Sequence, residues 1–338
     1  MTVFSQIKHR LRRLLPHRST YYADTLRQRT SAQDLGDLLV KLGVVPGSVI
    51  LVQSSFSSLG YFAGGVSRLI ELLRELVGRE GTIVMPAIPF DGSMEEYTLQ
   101  FPEWDLMNSP SKSGLLTEAF RIYPGVVRSV HPTHSICALG RLAEDLIADH
   151  ELCDSPCGAT SPWARLVELD ALAVRLGAYA ITILHHIQEM SDFPNLFLPD
   201  PVYLKCQLPN HRTLTVKTRV YRERIPWVLF LEEDRDSQLL SVNLLDYPLL
   251  FSGDREAILR RDLRRSEVLN RLMVLRSEFV DAGLIHIGKL GRCHCEVVSS
   301  KAYFEYTVRE IKRLVPLHKN LYDLASLQRL HDEGKYPA

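Results

Sequence analysis

The chain has no apolar run approaching the roughly 20 residues that a bilayer-spanning helix needs, and its first residues lack the apolar stretch of a secretory leader. It has no surplus of either charge: 40 Lys and Arg balance 40 Asp and Glu among 338 residues. Polyanion binders draw their affinity from excess cations, so no nucleic-acid partner is expected. The six cysteines include no pair of Cys-x-x-Cys elements. With no export signal, they are expected as free thiols in a reducing, cytoplasmic compartment. Internal repeats and low-complexity tracts are missing too. These absences exclude a transmembrane bundle, a disulfide scaffold, a collagen, a coiled coil and a disordered chain. What is present is 46% hydrophobic and 24% charged residues, enough for one large globular domain or two.

Residues 1–29 stand apart: Ile7, Leu11, Leu14 and Leu15 recur at helical spacing among Lys8, Arg10, Arg12 and Arg13. Such a basic amphipathic extension packs on its own domain as a surface helix, or makes peripheral contact with anionic lipid. The main domain is expected over 30–320, followed by a tail over 321–338. Ser31 and Asp34 predict a capped helix start, with Leu35, Leu38, Leu39 and Leu42 as its apolar stripe. Val49 to Val52 reads as a buried strand, Leu69 to Leu76 as an amphipathic helix, and Thr82 to Met85 as a second strand. That order is a βαβ unit, so part of the sheet is expected to be parallel. Ala171 to Leu176 reads as another strand and Lys301 to Leu314 as a closing helix. Residues 200–260, with a β-rich stretch from Thr213 to Tyr221 and a charged knot from Glu232 to Asp236, read as an inserted antiparallel or irregular subdomain.

Three segments carry chemistry. The loop after the first strand holds Ser54, Ser55, Ser57 and Ser58, then Gly60 and Gly64-Gly65 before a helix. Hydroxyls and free backbone N–H groups at a helix start suit phosphate or pyrophosphate, although neither the Rossmann nor the P-loop spacing is present; the alternative is a plain polar connection. The second segment, His131-Pro132-Thr133-His134-Ser135, concentrates proton-transfer and hydrogen-bonding groups at a strand entrance; alternatively Pro132 shapes a turn that satisfies local backbone. In the third, Thr182 to Glu189, helical spacing puts His185 and Glu189 on one face, where a carboxylate could fix the imidazole for general-base work. The alternative there is a solvated His/Glu face. Cys153, Cys157, Cys293 and Cys295 with the histidines offer a zinc set on paper, but Cys293 and Cys295 are expected on opposite faces of a strand, and no metal is expected.

These segments, in this order, resemble the aminoglycoside 3-N-acetyltransferase family. The likeness runs through Val49-Ile50-Leu51-Val52-Gln53-Ser54-Ser55, Gly81-Thr82-Ile83-Val84-Met85-Pro86 and Gly114-Leu115-Leu116-Thr117-Glu118-Ala119-Phe120-Arg121. It continues in the His-Pro-Thr-His-Ser block, in Ser161-Pro162-Trp163-Ala164-Arg165-Leu166, in the Thr-x-Leu-His of Thr182 to His185, and in Gly288-Lys289-Leu290-Gly291.

The resemblance implies a three-layer α/β/α acyltransferase fold with a mixed central sheet, and transfer of acetyl or another short acyl group from coenzyme A to a primary amine. Ser54, Ser55, Ser57, Gly64 and Gly65 are then the expected contacts for acetyl-CoA, with Ser113, Thr133 and Ser135 as secondary candidates. His185 matches the family's catalytic histidine and is the expected general base for direct attack, with His134 as the fallback. Family members commonly carry Glu three residues after that histidine; here the position is Gln188, so either the nearby acid Glu189 takes the role or the partner of His185 lies elsewhere. Because the chain is neutral and aminoglycosides are polycations, the acceptor expected from charge is an amino sugar or sugar-nucleotide amine. Aminoglycoside modification, conferring antibiotic resistance, is the alternative. A metal-dependent hydrolase and a noncatalytic CoA-binding protein are the readings from other classes. A homodimer is compatible with all of these.

Overall fold

The computed structural model describes residues 28–90, 92–178, 182–191, 193–222, 283–291 and 293–314. The basic segment through residue 27, the charged knot at 232–236 and the tail from residue 321 lie outside the described residues, and with them the expected lipid contact.

The first elements follow the punctuation in the sequence. β1 (Arg29–Thr30) leads into α1 (Ala32–Lys41), where the Ser31 hydroxyl accepts the Asp34 N–H at 3.0 Å and satisfies a donor that the helix start leaves open. β2 (Val49–Ser54), β3 (Tyr61–Phe62), α2 (Gly65–Val77) and β4 (Thr82–Pro86) follow. β2 and β4 run parallel with Leu51 opposite Val84, as a βαβ unit requires. Next come α3 (Met94–Gln100), β5 (Glu103–Asp105), α4 (Leu115–Arg121), β6 (Val127–Arg128) and β7 (Ile136–Gly140). α5 (Ala143–Ile147), α6 (Pro162–Glu168), β8 (Leu172–Leu176) and α7 (Ile183–Met190) complete the central run. The remaining described elements are β9 (Val202–Gln207), β10 (Thr213–Thr218), β11 (Ile285–Leu290), β12 (Cys293–Ser299) and α8 (Ser300–Leu314).

The main sheet has the order β11-β12-β8-β2-β4-β7-β6. Its centre, β8-β2-β4, is parallel, and both flanks are antiparallel. Alternation along β2 divides the interior into two layers. Ile50 and Val52 pack with Leu35 and Leu39 of α1, Leu69 and Leu73 of α2, and Phe120 of α4. Leu51, on the other face, packs with Leu146 of α5, Trp163 and Leu166 of α6, Ile183 and Ile187 of α7, and Ile311 of α8. A sheet apolar on both faces has to be covered twice, which yields the α/β/α sandwich.

Within residues 200–222 the chain forms a hairpin: β9 and β10 pair antiparallel, Leu204 opposite Val216, and β5 adds to β9 in parallel. Trp104, Cys206 and Val216 form its own small core. Residues 223–260 of the expected subdomain lie outside the described residues.

One expectation about β12 is corrected. Cys293 and Cys295 share a face, because residues two apart in a strand point to the same side. Both are buried and their sulfurs lie 3.8 Å apart. Among the described residues, no group of three or more His, Cys, Asp or Glu side chains could hold a metal ion, and no helix is long and apolar enough to cross a membrane.

Candidate active site

The carboxyl ends of β8, β2 and β4 lie along one edge, the place where open α/β sheets collect their functional loops. Ser54 closes β2 opposite Leu176 at the end of β8. Pro86 closes β4 opposite Ile136, so the turn 131–135 that feeds β7 arrives at the same edge. The start of α7 is fastened there as well. The Gln53 amide donates to Thr182 Oγ1 at 2.6 Å and accepts the Thr182 N–H at 2.9 Å.

His185, in the first turn of α7, keeps part of its surface open. Its Nδ1–H donates to Gln188 Oε1 at 3.1 Å, which leaves the Nε2 lone pair as the basic site. The ring stacks on Tyr221, with centroids 4.8 Å apart and planes 23° apart, and meets the His134 ring edge-on at 5.2 Å. Burial holds the imidazole below the usual histidine range, and the bond to Gln188 opposes that shift in part.

Glu189 shares this helix but serves a different partner. Its carboxylate accepts from the Ser155 hydroxyl, the Tyr221 hydroxyl and, at 2.9 Å, the Cys157 N–H. Burial raises its pKa against those three donors. Of the two partners open to His185, Glu189 or a group elsewhere, the described contacts favour the second: Gln188 holds the ring, and Glu189 holds the phenol stacked on it. His186, the neighbouring histidine, donates Nδ1–H to Cys157 O at 2.7 Å and stacks on Phe304 of α8, a packing role.

The His-Pro-Thr-His-Ser block folds as a turn bonded largely within itself, although His131 Nε2 is buried with no hydrogen-bond partner among the described residues. His131 Nδ1 accepts the His134 N–H at 3.1 Å and the Thr133 N–H at 3.3 Å. Thr133 is fully buried between the rings of His131 and His134. The buried Ser135 hydroxyl donates to Ala87 O at 2.9 Å and accepts from Arg128 Nε at 3.0 Å. Both hydroxyls are committed inside the protein, which corrects their expected role as cosubstrate contacts. Trp163 Nε1–H secures the turn by donating to His134 O at 3.2 Å. His134 is itself buried, and desolvation together with the neighbouring imidazoles pushes its pKa well down, which makes it the weaker base of the two.

The serine loop is more open. Ser54 Oγ is buried with no hydrogen-bond partner among the described residues, while Ser55, capping the 3-10 turn Phe56–Leu59, and Ser57 on it place their hydroxyls 3.5 Å apart. Gly114, at the start of α4, approaches Ser54 O so closely that an added Cβ would lie 3.5 Å from it, which brings Ser113 to this edge too. Gly64 caps α2 in the left-handed conformation (φ 82°), which a residue without Cβ adopts freely. Beyond the Tyr221 ring, Phe197 stacks at 5.1 Å and forms the wall of a cavity of about 470 Å³ that also takes in Glu189, Phe193, Arg219 and Arg222. Gln188 occupies the position of the family's Glu; Tyr221, which follows β10, was not legible as a site residue, because no local spacing links it to α7.

The profile of the family described as aminoglycoside 3-N-acetyltransferase matches residues 51–312, most of the chain. The chain belongs to the aminoglycoside 3-N-acetyltransferase family. A relative named aminoglycoside N(3)-acetyltransferase VII, from Streptomyces paromomycinus, is 38% identical over 171 residues, covering 46% of this chain and 59% of the relative. The chain thus spans about three-fifths of the length of the curated relatives it matches. Among solved structures, AAC-IIIb in binary complex with CoASH superposes with a TM-score of 0.61 at 24% identity, over 85% of this chain and 97% of that one. AAC(3)-Xa gives 0.60 at 24% identity, over 87% and 98%. These two likenesses establish the family's acetyltransferase fold for this sandwich.

Proposed function

We propose that this family member is an acetyl-CoA-dependent N-acetyltransferase acting on a primary amine of an aminoglycoside. The family match across residues 51–312 carries the reading, and the relatives' names favour an aminoglycoside over the sugar-nucleotide amine suggested by the neutral charge. An alkylammonium has no lone pair, so it must lose a proton before it can attack a thioester. His185 Nε2 is the group that takes that proton. The amine nitrogen then bonds to the acyl carbon and the carbon–sulfur bond breaks; the second proton shed by the nitrogen goes to the departing thiolate, giving the amide and free CoA thiol, and His185 releases the first to solvent.

The edge residues fit an acyl-CoA as substrate. Ser54 Oγ, buried and unpartnered, is a donor available to the thioester end, where charge develops on the carbonyl oxygen. Ser55, Ser57, Ser113 and the Gly64-Gly65 turn supply hydroxyls and backbone donors suited to the pantetheine and phosphates. His134, packed edge-on to His185, helps to hold the base in place. The test is CoA release from acetyl-CoA across aminoglycosides, amino sugars and nucleotide-linked amino sugars. Turnover led by aminoglycosides supports the reading; turnover only with the nucleotide-linked amines overturns the acceptor, and none with any amine overturns the activity.

A further inference from the structure

Among the described residues, the ring of His185 makes one side-chain hydrogen bond, and that bond goes to a neutral group. Gln188 is 3% exposed, and its oxygen lies 3.1 Å from His185 Nδ1, one turn along α7. The groups facing the ring from other described elements add no anion directly. The turn before β7 contributes His134, and the segment after β10 contributes Tyr221. The carboxylate that follows Gln188 on the same helix, Glu189, is engaged by Ser155, Tyr221 and the Cys157 N–H, and Arg219 acts on it electrostatically.

We propose that Gln188 is a positioning residue that fixes His185 in its Nε2-basic tautomer without adding charge, so that proton abstraction starts from an uncharged dyad. This rests on the function proposed above and adds a consequence. An amide oxygen can accept Nδ1–H as well as a carboxylate can, but it does not stabilise the imidazolium by charge. The base therefore stays deprotonated to lower pH than it would beside an acid, and its conjugate acid gives up its proton more readily.

The variant Gln188→Glu keeps the length and the acceptor while adding the charge. By NMR, the His185 ring is expected to titrate on the order of one pH unit higher in Gln188→Glu than in wild type, because an adjacent anion favours the charged imidazole. The acid limb of kcat/KM moves upward with it. Gln188→Leu, which removes the acceptor, is expected to lower kcat at least about tenfold while the KM for acetyl-CoA holds. A ring titrating at the same pH in wild type and Gln188→Glu, or wild-type kcat in Gln188→Leu, would overturn the proposal. The NMR titration needs no acceptor, so it separates failure of this dyad from failure of the proposed activity.

Discussion

At the scale of single residues, the site is built from imidazoles that burial keeps neutral. His150 shows the consequence for stability most plainly. Its Nδ1 lies 2.9 Å from the Ser129 hydroxyl, its Nε2–H donates to Pro156 O at 2.9 Å, and its ring stacks on His131 at 4.4 Å. Burial lowers its pKa to about 3 from an ordinary value of 6.5. The sign follows from proton counting: between those two values the unfolded chain binds the proton and the folded chain does not, so stability falls as pH falls through the window. His131, His134 and His185 are shifted in the same direction. Urea unfolding at a series of pH values is therefore expected to show stability declining from about pH 6.5 to pH 5, above the range where carboxylates titrate. A flat profile across that window would show that these rings are not buried as described.

At the scale of elements, the antiparallel closure of the sheet contains a charge pair. Arg175 of β8 stands opposite Glu296 of β12, and their side chains, 4% and 3% exposed, form an ion pair. Replacing both by apolar groups could be neutral, whereas removing one strands the other charge in the interior. Glu296→Ala is accordingly expected to cost roughly 3–5 kcal/mol, read by denaturant unfolding. A cost under about 1 kcal/mol, the range of a surface pair, would contradict the assigned burial.

The elements also show what a sequence discloses. β2, α2, β4 and the Ser31 cap were legible because apolar periodicity and capping are local. The helix over Ile183–Met190 places His185 and Glu189 on the same element, as their four-residue separation allows. Spacing alone leaves the partner of His185 open between Glu189 and a group elsewhere; the fold turns Glu189 towards Tyr221 and puts Gln188 against the ring. Thr133 and Ser135 look like ligand donors in sequence, yet their roles depend on Arg128, Ala87 and two rings contributed across the fold. Cys293 and Cys295 needed only the two-residue period of a strand, which was applied with the wrong parity.

At the scale of the whole molecule, the parallel centre of the sheet is what brings distant segments together. Its carboxyl edge gathers the serine loop, the turn 131–135 and the start of α7, and the insertion then lays Tyr221 over His185. The most direct test of this arrangement compares CoA release by wild type and His185→Ala at saturating acetyl-CoA and acceptor, with acetyl-CoA binding measured by calorimetry on both. The expected result is a loss of turnover of at least about 100-fold with acetyl-CoA affinity retained. Turnover at the wild-type rate in His185→Ala would contradict the account, because the proton would then leave the acceptor by another route.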